Sequence, residues 1–192
     1  MPAIDRGMHS LSLLPEALSE ALHRRLRELV GTAFIMLAVL IALALATWSV
    51  EDPSLSHATN APVRNVLGLG GAIAADLLTQ LLGLGSLAVV LPIAIWGWRL
   101  ASHRPLQRER TRLGFWLLGI PLCAACAATL PRSPAWPLPA GLGGVLGDWM
   151  LRLPSLFFAG GSLTAPARTI LGLALALATL VCLAVVSGFG FR

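Results

Sequence analysis

The chain has 192 residues, of which 56% are hydrophobic and only 12% charged, with a mean hydropathy of +0.79. Soluble domains carry about a quarter of their residues charged, so this composition excludes a water-soluble globular domain and indicates an integral membrane protein. All 14 cations are arginine, against 9 acids, and most flank apolar runs, the distribution that orients membrane spans rather than one that grips nucleic acid.

Residues 1–30 form a lead-in in which Leu14, Leu18, Leu22, Leu26 and Leu29 recur at helical spacing, with Pro15 suited to a first turn and Arg24, Arg25 and Arg27 beside the stripe. The pattern predicts a short amphipathic helix on the cytoplasmic membrane surface, with a solvated lead-in helix as the alternative. The four-span membrane domain occupies residues 31–192. Its first span, about 31–48, carries no charge from Ala33 to Trp48 and, with Leu29 and Val30, reaches the roughly twenty residues that a crossing needs. Ala44-Leu45-Ala46 mimics a cleavage site, but the basic region before it is too long for a secretory signal. Ala38, Ala42 and Ala46 make a small-residue stripe that would let another helix approach.

Ser49 to Asn65 is polar and holds a single arginine, Arg64, as an extracytoplasmic loop should. The glycine-rich Val66–Ala75 stretch lacks GxGxxG spacing and a preceding strand, so it predicts close helix packing and not nucleotide binding. The second span, about 73–98, is expected to tilt, to kink at Pro92 and to end on Trp96 and Trp98 in an aromatic belt. Asp76 is the one ionisable group near a span interior, a position that makes a functional role the default, although a place in the first helical turn accounts for it structurally.

Trp96 to Arg112 carries five arginines, Arg99, Arg104, Arg108, Arg110 and Arg112, and a short loop of that kind stays cytoplasmic. The third span, about 113–130, therefore returns outward. Cys123 and Cys126 form a CxxC, but mid-span rather than at a thioredoxin-like helix start, and with Cys182 they make neither a disulfide framework nor a metal site. Pro131–Pro139 is too proline-rich for helix or central strand. Leu138–Gly161 is apolar but interrupted by Asp148, Arg152 and Pro154. Crossing there would bury two charges at about 2.5–3.5 kcal/mol each, so an interfacial or re-entrant extracytoplasmic helix is expected. The last span, about 168–187, exits to the cytoplasm. Both termini are then inside, and the arginines divide ten to four in favour of that side, as orientation requires.

Trp48-Ser49-x-x-Asp52-Pro53-Ser54 after the first span resembles the WSxxDPS signature of the amino-terminal membrane domain of the FtsK/SpoIIIE DNA translocases. Asn65-x-x-Gly68-x-x-Gly71-Ala72-x-x-Ala75-Asp76-Leu77-Leu78, then Gly83 and Pro92, resemble that domain's entry into its second span. The resemblance covers about Arg24 to Arg192. It implies a bacterial inner-membrane anchor that holds a translocase at the division septum, associates with itself and contacts other cell-division membrane proteins. The family continues into an ATP-driven DNA motor and a DNA-reading tip.

No GxxxxGK[ST] loop occurs and the chain has no lysine, so phosphoryl transfer lacks its cradle. The chain is expected to be no enzyme, to need no cofactor and to bind no nucleic acid directly; membrane lipid and a second copy are its expected partners. A small transporter or channel subunit is the alternative. It would need polar groups lining a path at mid-depth, and apart from Asp76 the spans offer almost none. His9, His23, His57 and His103 all lie outside the spans, so no intramembrane nucleophile has a histidine partner.

Overall fold

A computed structural model describes residues 16–104, 108–132, 134, 136–155 and 164–188. The described residues form six α-helices and no strand: α1 Glu16–Ala46, α2 Gly68–Leu82, α3 Leu87–Ala101, α4 Glu109–Thr129, α5 Gly144–Ser155 and α6 Ala165–Ser187, with a 3-10 turn at Gly83–Ser86 between α2 and α3. Four segments among them are long and apolar enough to cross a membrane, Leu18–Ala46, Gly68–Ala101, Glu109–Thr129 and Ala165–Ser187. The fold is an all-α, four-span integral membrane domain.

The lead-in and first span, expected as separate elements, are one helix. Nothing breaks α1 at residue 30, because Gly31 is held in the helix by packing: a Cβ there would meet Ala101 N and Gly97 O, the latter at 2.7 Å. At 1.5 Å per residue α1 is about 46 Å long, against a hydrocarbon core of about 30 Å. The excess projects from the arginine end, with Leu18, Leu22, Leu26 and Leu29 exposed along it. Leu14 and Pro15, which the expected amphipathic helix included, lie outside the described residues.

The second span also differs from expectation. The chain does not break at Pro92, which is fully buried inside α3. Proline removes the N–H that would bond the carbonyl four residues back, and here that carbonyl, on Ala88, accepts from Trp116 Nε1 instead at 2.9 Å. The break falls at Gly83, with φ +56°, where Leu84 N donates to Leu142 O at 2.8 Å and a Cβ would strike the Leu142 backbone.

This break turns α2 out of line. The pair α1/α3 is antiparallel, with Gly31 beside Ala101. From Gly31 to Ala44 α1 rises about 20 Å, and from Ala101 back to Leu87 α3 rises about 21 Å. Asn65, just before α2, bonds the Ala44 carbonyl, while Gly85, just after it, packs against Ala124 near the far end of α4. Both ends of α2 therefore stand at one depth, and the helix lies across the bundle end. Of the apolar segment Gly68–Ala101, the part that runs on past α2 is Gly83–Ala101, about 30 Å long with its 3-10 turn.

α5 lies at that same end. At 12 residues it is about 18 Å long, short of a crossing, and the part of the expected 138–161 segment from 156 onward lies outside the described residues. Gly143 and Gly147 seat it on α4, where a Cβ would come within 2.7 and 3.0 Å of the Ala128 Cβ, and Gly144 sits against Leu81. Asp148 Oδ2 accepts from Gly141 N at 3.0 Å and faces Arg132 Nη2 at 3.4 Å, so the interrupting acid pins the loop leading into α5.

The crossing helices form two antiparallel pairs, α1/α3 and α4/α6. Trp96 and Trp116 join the pairs edge to face with ring centroids 5.2 Å apart, and Trp96 Nε1 donates to Val186 O at 2.9 Å. Of the alanine stripe in α1, Ala38 is buried while Ala42 and Ala46 are exposed. Gly172 packs within the molecule, on Thr129.

Candidate functional site

The end opposite the arginine loop gathers residues that are distant in sequence into one hydrogen-bonded platform. Asp52, 3% exposed, accepts from the backbone N–H groups of Arg64 at 2.8 Å and Asn65 at 3.0 Å, which closes the loop from Ser49 to Asn65 on itself. Two backbone amides on one carboxylate, the Asn65 one buried, constitute a strong, charge-assisted arrangement. Glu51 and Arg64 add an exposed ion pair at 2.7 Å across the loop's neck.

Asn65, 4% exposed, ties that loop to the helices. Its Nδ2 donates to Ala44 O at 2.8 Å, satisfying a carbonyl in the last turn of α1 that the helix itself leaves unpaired. Its Oδ1 accepts from Leu67 N at 3.1 Å and its backbone carbonyl accepts from Gly68 N at 2.8 Å, which starts α2. Gly68 has φ +67°, the left-handed region that glycine enters freely. Gly71 must lack a side chain because a Cβ would collide with the Asn65 amide. Ala72 is buried beside it.

One turn further on, Asp76 points back into the loop. Ser56 Oγ donates to Asp76 Oδ2 at 2.5 Å, and Gln80 Nε2 lies 3.0 Å from both carboxylate oxygens. Asp76 is thus held at the platform and not at mid-depth. Ser54 Oγ stands 3.0 Å from Ser56 Oγ and accepts from His57 N at 3.2 Å, shaping the turn that presents Ser56; Pro53 is half-buried before it. Trp48 stacks on Trp136 of the next loop at the same end, with centroids 6.3 Å apart. Ser49 Oγ accepts from Glu51 N at 3.3 Å, and its backbone carbonyl accepts from Asp52 N at 3.3 Å.

Of the signature positions, then, Trp48, Asp52, Pro53, Ser54, Asn65, Gly68, Gly71, Ala72 and Asp76 converge on this platform. Ser49 is peripheral to it, and Gly83 stands at the other end of α2, serving the turn into α3. The sequence reading missed Ser56, Gln80, Thr47 and Trp136. Gln80 was legible, since it follows Asp76 by one helical turn on the same face. Thr47, whose Oγ1 accepts from Val66 N at 3.3 Å, and Trp136 are set by tertiary contact and leave no local pattern.

The chain matches the family described as the 4TM region of DNA translocase FtsK/SpoIIIE over residues 23–191. It is 46% identical over its whole length to a DNA translocase FtsK of Bradyrhizobium diazoefficiens, of which it covers 23%. It is 44% identical over 78% of its length to that of Agrobacterium fabrum, and 36% identical over 64% of its length to that of Caulobacter vibrioides, covering 17% and 15% of those proteins. The chain thus spans less than a quarter of the curated relatives it matches. No solved structure matches it. The match lies in the membrane region of the family. It is a multi-pass inner-membrane protein, and it belongs to the FtsK/SpoIIIE DNA translocase family, of which it covers the 4TM region.

Proposed function

We propose that this chain is the anchor of a cell-division DNA translocase, holding it at the septum through contacts between copies and with other division membrane proteins. In this reading the arginine loop faces the cytoplasm, both ends of the span set face the same way, and the platform lies outside. The observation that carries the reading is the convergence of the signature residues on one rigid, hydrogen-bonded platform at the end away from the arginines. Asp52, Asn65 and Asp76 hold that platform together, while Leu55, Val63 and Val66 remain exposed on it. A fixed surface with protruding apolar side chains suits docking to another membrane protein.

Self-association has its own support. The faces of α1 and α6 leave Met36, Leu37, Leu40, Leu173, Leu177 and Leu180 exposed, and exposed Ala42 and Ala46 allow close approach of a second helix. The transporter alternative loses its main residue, because the Asp76 carboxylate is occupied by Ser56 and Gln80 at the bundle end. Nucleic-acid binding is assigned to the rest of the translocase and not to this chain.

A fluorescent fusion of the chain in dividing cells tests the proposal. Signal concentrated at mid-cell is expected. Signal spread evenly around the envelope would contradict the anchor reading and return weight to a transporter.

A further inference from the structure

Glycine seats α5 on the side of α4. A Cβ on Gly143 or Gly147 would strike the Ala124 carbonyl, so the start of α5 crosses α4 between Ala124 and Ala128. α4 has 21 residues, about 31 Å against a hydrocarbon core of about 30 Å, and Glu109, Arg110 and Arg112 in its first turn mark the headgroup level at one end. Ala124 stands five residues before Thr129 at the other end, about 7 Å inside the hydrocarbon. α5 therefore starts below the membrane surface and not on top of it. Gly85 packs on the same Ala124, which sets the head of the neighbouring span at that level, with Leu84 and Leu87 exposed.

Irregular backbone at membrane depth has to be enclosed by protein, and the entry to α5 is. Gly141, Gly143 and Gly144 are buried. Gly141 N donates to Asp148 Oδ2, Gly144 N to Gly141 O at 2.9 Å and Leu84 N to Leu142 O at 2.8 Å. The helix itself divides by flank. Asp148 and Arg152, one turn apart, share the flank that turns toward Arg132, just beyond the end of α4, and Leu146 and Met150 fall on the opposite flank. Between the flanks, facing away from Gly147, Val145, Trp149 and Leu153 are 55%, 58% and 44% exposed.

We infer that this outward face of α5 is a lipid-binding surface sunk into one leaflet, with Val145, Trp149 and Leu153 against acyl chains and the Asp148–Arg152 flank at the headgroups. At the depth of Ala124 the medium around an exposed side chain is hydrocarbon, the partner that a multi-pass domain already has. The face lies level with the exposed Leu84 and Leu87 of the span beside it, so it continues the lipid-facing surface of the bundle. Leucine and valine below a tryptophan, with both charges on one flank, is the division an interfacial helix needs. α5 then fixes how deep the platform sits, and docking is left to the loop from Ser49 to Asn65. The inference goes beyond the anchor proposal and needs neither it nor an assignment of which side is cytoplasmic.

The test is collision accessibility of nitroxide labels on the full chain reconstituted in bilayers, with oxygen as the apolar reagent and nickel ethylenediaminediacetate as the polar one. Val145→Cys, Trp149→Cys and Leu153→Cys are made singly in a chain whose Cys123, Cys126 and Cys182 are replaced by alanine. Leu117→Cys on the exposed face of α4 and Asn60→Cys in the exposed loop serve as the lipid and water references. The oxygen-to-nickel ratio at all three α5 positions should match Leu117→Cys and exceed Asn60→Cys severalfold. Ratios like that of Asn60→Cys would place the face in water and overturn the inference. Low access to both reagents would mean that a protein surface covers it, a second copy included, and would overturn it equally. Should the cysteine-free chain fail to fold, quenching of the native tryptophan emission by lipids brominated on their acyl chains replaces the labels: Trp149→Phe should be quenched less than wild type, and equal quenching would overturn the inference.

Discussion

Asn65 is the residue on which the platform turns, since its single amide side chain serves the end of α1 and the start of α2 at once. Asn65→Ala leaves the Ala44 carbonyl and the Leu67 amide without their partner, and a buried unsatisfied group costs about 1–3 kcal/mol. The variant should therefore unfold earlier than wild type in mild detergent by about that amount, read by thermal or denaturant titration. Ser49→Ala removes only an acceptor for the exposed Glu51 amide and should shift the same titration by less than about 0.5 kcal/mol. Equal effects would show that the signature is not held by this network. The signature residues could be picked out in the sequence, but what they do could not. Asp52 and Asn65 are polar residues in a polar loop, and only the fold reveals that both are buried and aimed at backbone groups.

At the scale of elements, glycine decides how closely the α1/α3 pair packs. Gly31 and Gly97 face each other, and a Cβ on Gly97 would lie 2.8 Å from both Gly31 O and Ile35 N, backbone atoms that cannot step aside. Gly97→Leu should force the pair apart and destabilise the domain by about 1–3 kcal/mol or more. Gly114 in α4 has nothing within 4 Å of its Cβ position, so Gly114→Ala should be neutral or stabilising by up to about 1 kcal/mol. The same detergent titration separates the two; a harmless Gly97→Leu would contradict the crossing.

The number and order of the spans were readable from apolar run length and from arginines at their ends, because those features follow directly from bilayer thickness and membrane charge asymmetry. The transverse course of α2 was not. A helix lying at the interface and one crossing the bilayer can be equally apolar, and here depth is set by contacts distant in sequence, Asn65 on Ala44 at one end and Gly85 on Ala124 at the other. The setting of Pro92 depends on distant contacts in the same way. The Ala88 carbonyl, which Pro92 leaves without its helical donor, accepts from Trp116, 28 residues away.

For the whole molecule, the anchor proposal depends on which side each end of the bundle faces. On that proposal a DNA motor works in the cytoplasm, which places the helix ends at Ala101, Glu109 and Ser187 there and the platform of Asp52, Asn65 and Asp76 outside. The platform closes the bundle on one side while the arginines hold the other, and together they give the domain a fixed polarity. Labelling single cysteines with a membrane-impermeant maleimide in intact spheroplasts, in a chain whose Cys123, Cys126 and Cys182 have been replaced by alanine, tests this most directly. Cysteine at Ser56 should react at once, and cysteine at Ser102 should react only after the membrane is opened. Immediate labelling at Ser102 with protection at Ser56 would invert the molecule and contradict the anchor proposal.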